Sequence, residues 1–303
     1  MSQTHHSTLP RGRDILFLAL GVVGIGTSGP VISLSRMPVP TLIMWRNLGG
    51  ALVMFPFALR KKEWRTGAGR TAMKLSAVSG VLLALHFMGF FLAMRLTSVA
   101  AGTAITATQP IFTAIYLRYR GEEIARRAWG GMFIAFLSVL LITGVDLRIS
   151  ARSFLGDLCA LVGAALAAAY MLIGAKAQKE LSTSTYTSVC YSVCALTALP
   201  IALLVNFHIF TYSARQWLLC LALIAGAQIL GHTMFNLSLK RVSPAVVSLI
   251  VFFEVPVSAV LAYWWQGQQP PAGTIPGIFG LLLGCTVFVL RSGKKSASGE
   301  VTA

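Results

Sequence analysis

HFMGFFLAMR (residues 86–95) and HTMFNLSLKR (residues 232–241) align without a gap when the chain is displaced along itself by 146 residues. The same displacement superposes Pro110 on Pro256. Apolar residues pair easily by chance, but His, Arg and Pro matched in one register are typical of an internal repeat. The sequence therefore predicts two related halves.

The composition of the chain points to a membrane. Of its 303 residues 56% are hydrophobic and only 11% are charged, which is too little polar surface for a water-soluble domain of this size. Several apolar runs approach or exceed the roughly 20 residues that a helix needs to cross the hydrocarbon layer. We therefore predict an all-α integral membrane protein with ten transmembrane helices, near residues 14–34, 40–59, 74–94, 98–118, 128–145, 156–176, 184–205, 216–238, 244–265 and 273–290.

These spans divide equally between the two halves, which we place at residues 13–146 and 147–290, with tails at residues 1–12 and 291–303. Because each half holds an odd number of spans, the second half must lie inverted relative to the first. Inverted five-helix repeats around a central cavity are an architecture of transporters, since exchanging the conformations of the halves moves the opening of the cavity from one side to the other.

The formal net charge of +16 is explained by topology. If the N-terminus is cytoplasmic, all but six of the 25 Lys and Arg residues fall in cytoplasmic segments. The positive-inside rule therefore predicts that both termini are cytoplasmic and that the protein lies in the cell membrane. The basic residues are not gathered on one amphipathic face, so we expect membrane lipid, and not nucleic acid, as their partner.

The chain resembles the EamA-type transporters of the drug/metabolite transporter superfamily over essentially its whole length. The motifs that carry the resemblance are Met44-Trp45-Arg46-Asn47 in the second span, Pro110 with Gly121-Glu122 ending the fourth, and Gly156-Asp157-Leu158 opening the second half. The block with Glu254, Pro256 and Gly267 repeats the first one. It departs from the usual pattern because Gln268 follows the glycine where an acidic residue is common, and Val255 separates Glu254 from Pro256. Within the superfamily the chain looks most similar to exporters of aromatic amino acids.

Two charged residues inside predicted spans are candidates for substrate binding, because a charge at this depth is costly unless it is paired or hydrated. Glu254 lies near the middle of the ninth span and could bind a substrate ammonium or be protonated reversibly. Arg46 could hold a substrate carboxylate with two parallel hydrogen bonds. Both also have a structural interpretation, in which each is a fixed partner, with an Arg46–Glu254 ion pair as one arrangement.

His86 and His232 are the repeat-related histidines, and we predict that they line the cavity, although a packed helix contact is the alternative for each. Gln228 and Asn236 lie one turn before and one turn after His232, which makes a polar stripe on the eighth span. Polar stripes of membrane helices face protein or water. We therefore expect this stripe to face the cavity as well.

Gln109, Tyr170 and Trp45 complete the candidate substrate-binding set, the last two as rings on which a substrate could stack. Gly21, Gly24 and Gly26 in the first span are expected to permit close helix packing, with Pro30 bending that helix.

No phosphate-binding glycine loop, metal-ligand pattern or nucleophile with its base occurs in the sequence, so we expect neither an enzyme nor a bound cofactor or metal. The leading interpretation is a secondary carrier that exports amino acids or related small metabolites, and a monomer is compatible with it. The alternatives are an importer of a vitamin or nucleoside-like metabolite, a broad-specificity drug exporter, a channel, and a lipid-modifying enzyme. The last predicts clustered catalytic side chains at an interface, which the sequence lacks.

Overall fold

The computed structural model describes residues 12–121, 124, 126–143, 150–269 and 273–292. Three parts of the sequence discussed above lie outside these residues. They are Glu122, the predicted boundary between the halves, and both predicted tails except for Gly12, Arg291 and Ser292. The described chain is helical, with α1 (Arg13–Gly26), α2 (Ser28–Leu34), α3 (Val39–Lys61), α4 (Gly67–Leu96), α5 (Val99–Thr106), α6 (Gln109–Tyr119), α7 (Arg126–Thr143), α8 (Ala151–Ala177), α9 (Thr183–Val205), α10 (Ala214–Ala222), a π-helix (Leu223–Thr233), α11 (Met234–Ser238), α12 (Pro244–Ile250), α13 (Glu254–Gln266) and α14 (Thr274–Ser292). Short 3-10 turns occur at Glu63–Arg65 and Val251–Phe253.

Seven helical segments of the described chain are long and apolar enough to cross a membrane. They are Arg13–Leu34, Val39–Lys61, Gly67–Leu96, Ala151–Ala177, Thr183–Val205, Ala214–Ser238 and Pro244–Gln266. The predicted fourth span is divided between α5 and α6, because the helix is interrupted just before Pro110. In the regions of the predicted fifth and tenth spans the apolar helices are shorter, at Trp129–Leu141 and Ile275–Gly284.

The first span is interrupted at Thr27, between α1 and α2, one turn before Pro30. Proline has no backbone N–H, so the carbonyl of Gly26 loses its helical donor. The hydroxyl of Ser258, on α13, donates to this carbonyl at 2.8 Å. Satisfying a freed carbonyl with a neighbouring hydroxyl is what allows a proline to persist inside a membrane helix.

Small residues bring α1 against the π-helix, as the sequence predicts. A Cβ atom added to Gly24 would lie 2.5 Å from the backbone nitrogen of Gly231, so the two helices touch backbone to backbone. Added Cβ atoms at Gly21 and Gly26 would meet the side chains of Phe235 and Val257. The three glycines therefore set how closely the first span can approach the second half.

Helices of the two predicted halves pack against each other in pairs. α4 lies along α8, α3 along α9, α7 along α14, and α1 along the π-helix. Each pair takes one helix from the N-terminal part of the chain and one from the C-terminal part. The space enclosed between the pairs is where the polar residues of both parts can meet.

Candidate substrate cavity

A narrow cavity lies among α1, α4, α8, the π-helix and the start of α13. About 50 Å³ of it is open to the centres of water molecules. Its walls are largely apolar, with a few polar groups directed into it, as is usual for sites that bind small molecules. The lining residues are Ile25, Ser28, His86, Phe87, Phe90, Thr106, Gln109, Ala167, Tyr170, Met171, His232, Phe235, Asn236, Leu239, Val251 and Glu254.

Six of the nine residues proposed from the sequence line this cavity, and three do not. The six are His86, Gln109, Tyr170, His232, Asn236 and Glu254. They come from both parts of the chain, so the cavity is shared between the predicted halves. Arg46, Gln228 and Trp45 lie behind or away from its wall.

The two histidines reach the cavity with different surroundings. Nδ1 of His86 lies 2.9 Å from the carbonyl of Gly163, and since a carbonyl only accepts, this nitrogen carries the proton. In the neutral ring Nε2 is then free to accept. His232 stands edge-on to the ring of Phe87 at 5.1 Å and lies 6.2 Å from the ring of Tyr170.

Tyr170 and Asn236 form a polar bridge in the wall, because the amide of Asn236 donates to the hydroxyl of Tyr170 at 2.9 Å. Gln109 also lines the cavity, with its amide nitrogen 3.6 Å from the sulfur of Met171. A thioether is a weak acceptor, so the amide of Gln109 keeps most of its hydrogen-bonding capacity for a molecule in the cavity.

Glu254 begins α13 and is only 6% exposed. Within the described residues its carboxylate forms neither an ion pair nor a side-chain hydrogen bond, and the ion pair found there joins Asp14 to Arg241 at 2.6 Å. Arg46 and Glu254 are therefore not in ion-pair contact in this conformation. A carboxylate at the wall of a cavity that makes no hydrogen bond or ion-pair contact among the described residues is available for a ligand.

Arg46 is completely buried. Its Nε donates to Oε1 of Gln228 at 2.7 Å, and Nη1 lies 3.5 Å from the hydroxyl of Ser28. The guanidinium carbon stands 4.2 Å from the centre of the Phe87 ring, which is a cation–π contact. Nη2 has no hydrogen-bond partner among the described residues. Because Ser28 and Phe87 line the cavity, Arg46 lies one side-chain layer behind its wall.

Gln228, which was expected to face the cavity, does not line it, because its side-chain amide is engaged by Arg46 and Asn47 of α3. In a π-helix the backbone hydrogen bonds join residues i and i+5. The hydroxyl of Thr233 accordingly donates to the carbonyl of Gln228 at 3.0 Å. The Gln228 amide instead donates to Oδ1 of Asn47 at 3.0 Å while its oxygen holds Arg46.

Trp45 was expected to stack on a substrate and does not reach the cavity. Its indole donates to the carbonyl of Ile209 at 2.9 Å, and its ring packs edge-on against Phe210 and Trp217. Successive residues of an α-helix point about 100° apart, so Trp45 cannot share the inward direction of Arg46.

The sequence did not single out the other lining residues. Those with chemistry to offer are Ser28, Phe87, Phe90, Thr106, Met171 and Phe235. The phenylalanines occur in spans where aromatic residues are common, so their type carries no signal. The position of Phe87 beside His86 could have suggested it.

Comparison with known proteins agrees with this architecture. The chain matches the EamA-like transporter family twice, over residues 13–144 and 154–290. A pseudopaline exporter, CntI, of Pseudomonas aeruginosa is 24% identical over 86% of this chain and 89% of its own length. An uncharacterised transporter of Archaeoglobus fulgidus is 23% identical over 81% of this chain and 86% of its own length.

A solved crystal structure shares the fold. It superposes with a TM-score of 0.72 at 16% sequence identity and covers 93% of this chain and 98% of that one. Both matched regions consist of apolar helices, and the relatives are named as transporters or exporters. The chain therefore belongs to the EamA-like transporter family and is a multi-pass membrane transporter, not an enzyme.

Proposed function

We propose that this transporter is a secondary carrier that exports amino acids or closely related zwitterionic metabolites by alternating access. The observation that carries the proposal is a shared cavity with an unpaired carboxylate, Glu254, at its wall and a buried guanidinium, Arg46, one layer behind. Opposite charges at the two positions suit a substrate that carries both an ammonium and a carboxylate.

In this arrangement Glu254 receives the substrate ammonium. The carboxylate reaches Arg46 after the ring of Phe87 swings aside, and the free Nη2 of Arg46 becomes one of its donors. His86, Gln109 and Asn236 orient the substrate backbone. The rings of Phe87, Phe90 and Phe235 favour an aromatic side chain, since offset and edge-on ring pairs are attractive. This agrees with the proposed similarity to aromatic amino-acid exporters.

The cavity is small in this conformation. If each water needs about 10–15 Å³ of such space, a volume of about 50 Å³ holds only a few water molecules. An amino acid therefore enters only when helices move apart on one side. We assign this conformation to a state of the proposed cycle that is too narrow to hold the substrate.

Ten spans in two inverted halves complete the proposal, and the helix contacts support it. The proposed symmetry relates α1 to α8, and α4 to the segment Ala214–Ser238, which contains the π-helix. It therefore converts the contact between α4 and α8 into the contact between the π-helix and α1. The pairs α3–α9 and α7–α14 map onto themselves. A contact pattern that is unchanged by exchanging the halves is what a pseudo-twofold axis produces.

Export and cytoplasmic termini are also part of the proposal. The name of the Pseudomonas relative describes export, and its similarity extends over most of both chains. For the topology we expect that a tag on the C-terminus is detected by antibody only after cells are permeabilised. Detection on intact cells at the level of an external marker would overturn the proposed orientation.

Transport of a panel of labelled amino acids and other metabolites by the purified protein in liposomes tests the proposed function. We expect aromatic amino acids to exchange at least about tenfold faster than in protein-free vesicles, and faster than amino acids with small side chains, because a ring pair contributes about 0.5–1.5 kcal/mol. The panel includes a vitamin, a nucleoside and a cationic dye. Movement of one of these without any amino acid would reject the proposal and favour the importer or drug exporter.

A further inference from the structure

A second, larger recess lies on the outside of the helix bundle, between α3 and the segment of the π-helix and α11. Its volume is about 750 Å³. We call it the lateral groove. It is lined by Met54, Phe57, Arg60, Lys61, Ser182, Thr183, Ser184, Ile229, Thr233, Met234, Leu237 and Lys240.

The lateral groove is apolar along its length and basic at one end. Met54 and Phe57 form one wall, and Ile229, Met234 and Leu237 form the other. Phe57 remains 51% exposed, so nothing in the described chain covers this wall. From Met54 to Lys61 the helix rises about 10 Å, which is enough to guide part of an acyl chain.

Three cations, Arg60, Lys61 and Lys240, gather at the basic end. Among the described residues the side chains of Arg60 and Lys61 have no ion-pair or hydrogen-bond partner, and Lys240 donates to the carbonyl of Leu181 at 2.9 Å. An ammonium has three donors, so Lys240 keeps two free. Burial lowers the pKa of Lys240, and a bound anion would favour its charged form again.

The acidic group close to these cations is already engaged. Glu63 accepts hydrogen bonds from the backbone N–H of Ser182 at 3.0 Å and from its hydroxyl at 2.9 Å. Burial alone would raise the pKa of Glu63, but hydrogen bonds from Thr185 and Ser182 hold it below its usual value. Glu63 therefore ties the turn after α3 to the start of α9. Its single negative charge also attracts Lys240, so the group of three cations and one carboxylate keeps a net charge of +2.

We propose that the lateral groove binds one anionic phospholipid, with its phosphate at Arg60, Lys61 and Lys240 and an acyl chain along the apolar walls. The combination of charge and apolar surface decides the occupant. A soluble phosphate would leave the walls uncovered, and a neutral lipid would leave the cations unneutralised.

This site is separated from the substrate cavity by a single helical segment. Thr233 and Met234 face the lateral groove, while His232 and Phe235 face the cavity. A lipid in the groove therefore braces the wall that carries the substrate side chains.

Native mass spectrometry of the purified full chain tests the proposal. Phosphatidylglycerol, phosphatidylcholine with the same acyl chains, and glycerol phosphate are each titrated into detergent micelles. We expect one phosphatidylglycerol to bind at least about tenfold more tightly than phosphatidylcholine, as expected for a cluster of Lys and Arg acting on an anionic headgroup. Equal retention of both lipids would overturn the proposal, as would displacement by glycerol phosphate.

A charge variant locates the site. Arg60→Gln/Lys61→Gln/Lys240→Gln should weaken phosphatidylglycerol binding by about 10- to 100-fold. The matched control, Arg65→Gln/Arg70→Gln/Lys74→Gln, removes the same charge from exposed positions outside the groove and should bind as the wild type does. An equal loss in both variants would show a general charge effect and reject the site. The lipid comparison on the wild type keeps the proposal testable if a variant does not fold.

Discussion

Replacing Glu254 by Gln is expected to slow the movement of an amino-acid substrate in liposomes by about 10- to 100-fold, since hydrogen bonds to charged groups contribute about 1.5–3 kcal/mol. Glutamine keeps the size of the side chain but cannot neutralise an ammonium or carry a proton. The loss is expected in the initial rate of exchange, measured with equal amounts of protein incorporated.

Protein stability separates this role from a structural one. Removing one partner of a buried ion pair costs about 3–5 kcal/mol, but Glu254 has no such partner among the described residues. The variant should therefore remain monodisperse in size-exclusion chromatography. Glu180→Gln, at an exposed position outside the cavity, is the control and should transport normally. Transport by Glu254→Gln at the wild-type rate, with the same dependence on pH, would show that the carboxylate serves neither binding nor protonation.

Adding a single methyl group at Gly24 is expected to destabilise the protein by about 1–3 kcal/mol, the usual cost of overpacking. The new Cβ would lie 2.5 Å from the nitrogen of Gly231 and 2.7 Å from the carbonyl oxygen of Gly226. Both are backbone atoms, so neither can turn aside, and α1 must move away from the π-helix. Thermal unfolding of purified Gly24→Ala in detergent measures the loss.

Gly130→Ala is the matched control, because it makes the same change inside a helix with no atom within 4 Å of the new Cβ. Helical Gly→Ala exchanges without a clash are neutral or stabilising by about 0.4–1 kcal/mol. If both variants shifted the unfolding temperature equally, the close contact at Gly24 would not be what holds the first span in place.

The apolar runs were sufficient to predict the helical segments, because a lipid environment restricts a spanning chain to helices of a limited length. They could not locate the break in the fourth span between α5 and α6.

Some of the candidate residues that the sequence suggested line the cavity, and others do not. His86 and His232 were found because two rare residues recur at equivalent positions, and Glu254 was found because a carboxylate inside a span is costly.

Gln228 and Trp45 failed for geometric reasons that the sequence does not display. The stripe argument placed Gln228 beside His232, but the side chain of Gln228 is held by Arg46 and Asn47 of α3. Trp45 and Arg46 are adjacent in sequence, yet they point to different neighbours. The role of Phe87 depends on lying between Arg46 and the cavity, which only the packing of three helices reveals.

The π-helix at Leu223–Thr233 resembles a dislocation in a crystal lattice. The π-helix has more residues per turn than the α-helical segments on either side of it. A dislocation moves through a lattice because neighbouring bonds exchange partners one at a time, and hydrogen bonds of a helix can do the same. Passage of one surplus residue along the segment would turn each side chain that it passes by about 100°, the angular step of one α-helical residue. His232 and Thr233, on opposite sides of this wall, lie within its path. Such a defect lets a helix exchange one face for another without ever being unwound.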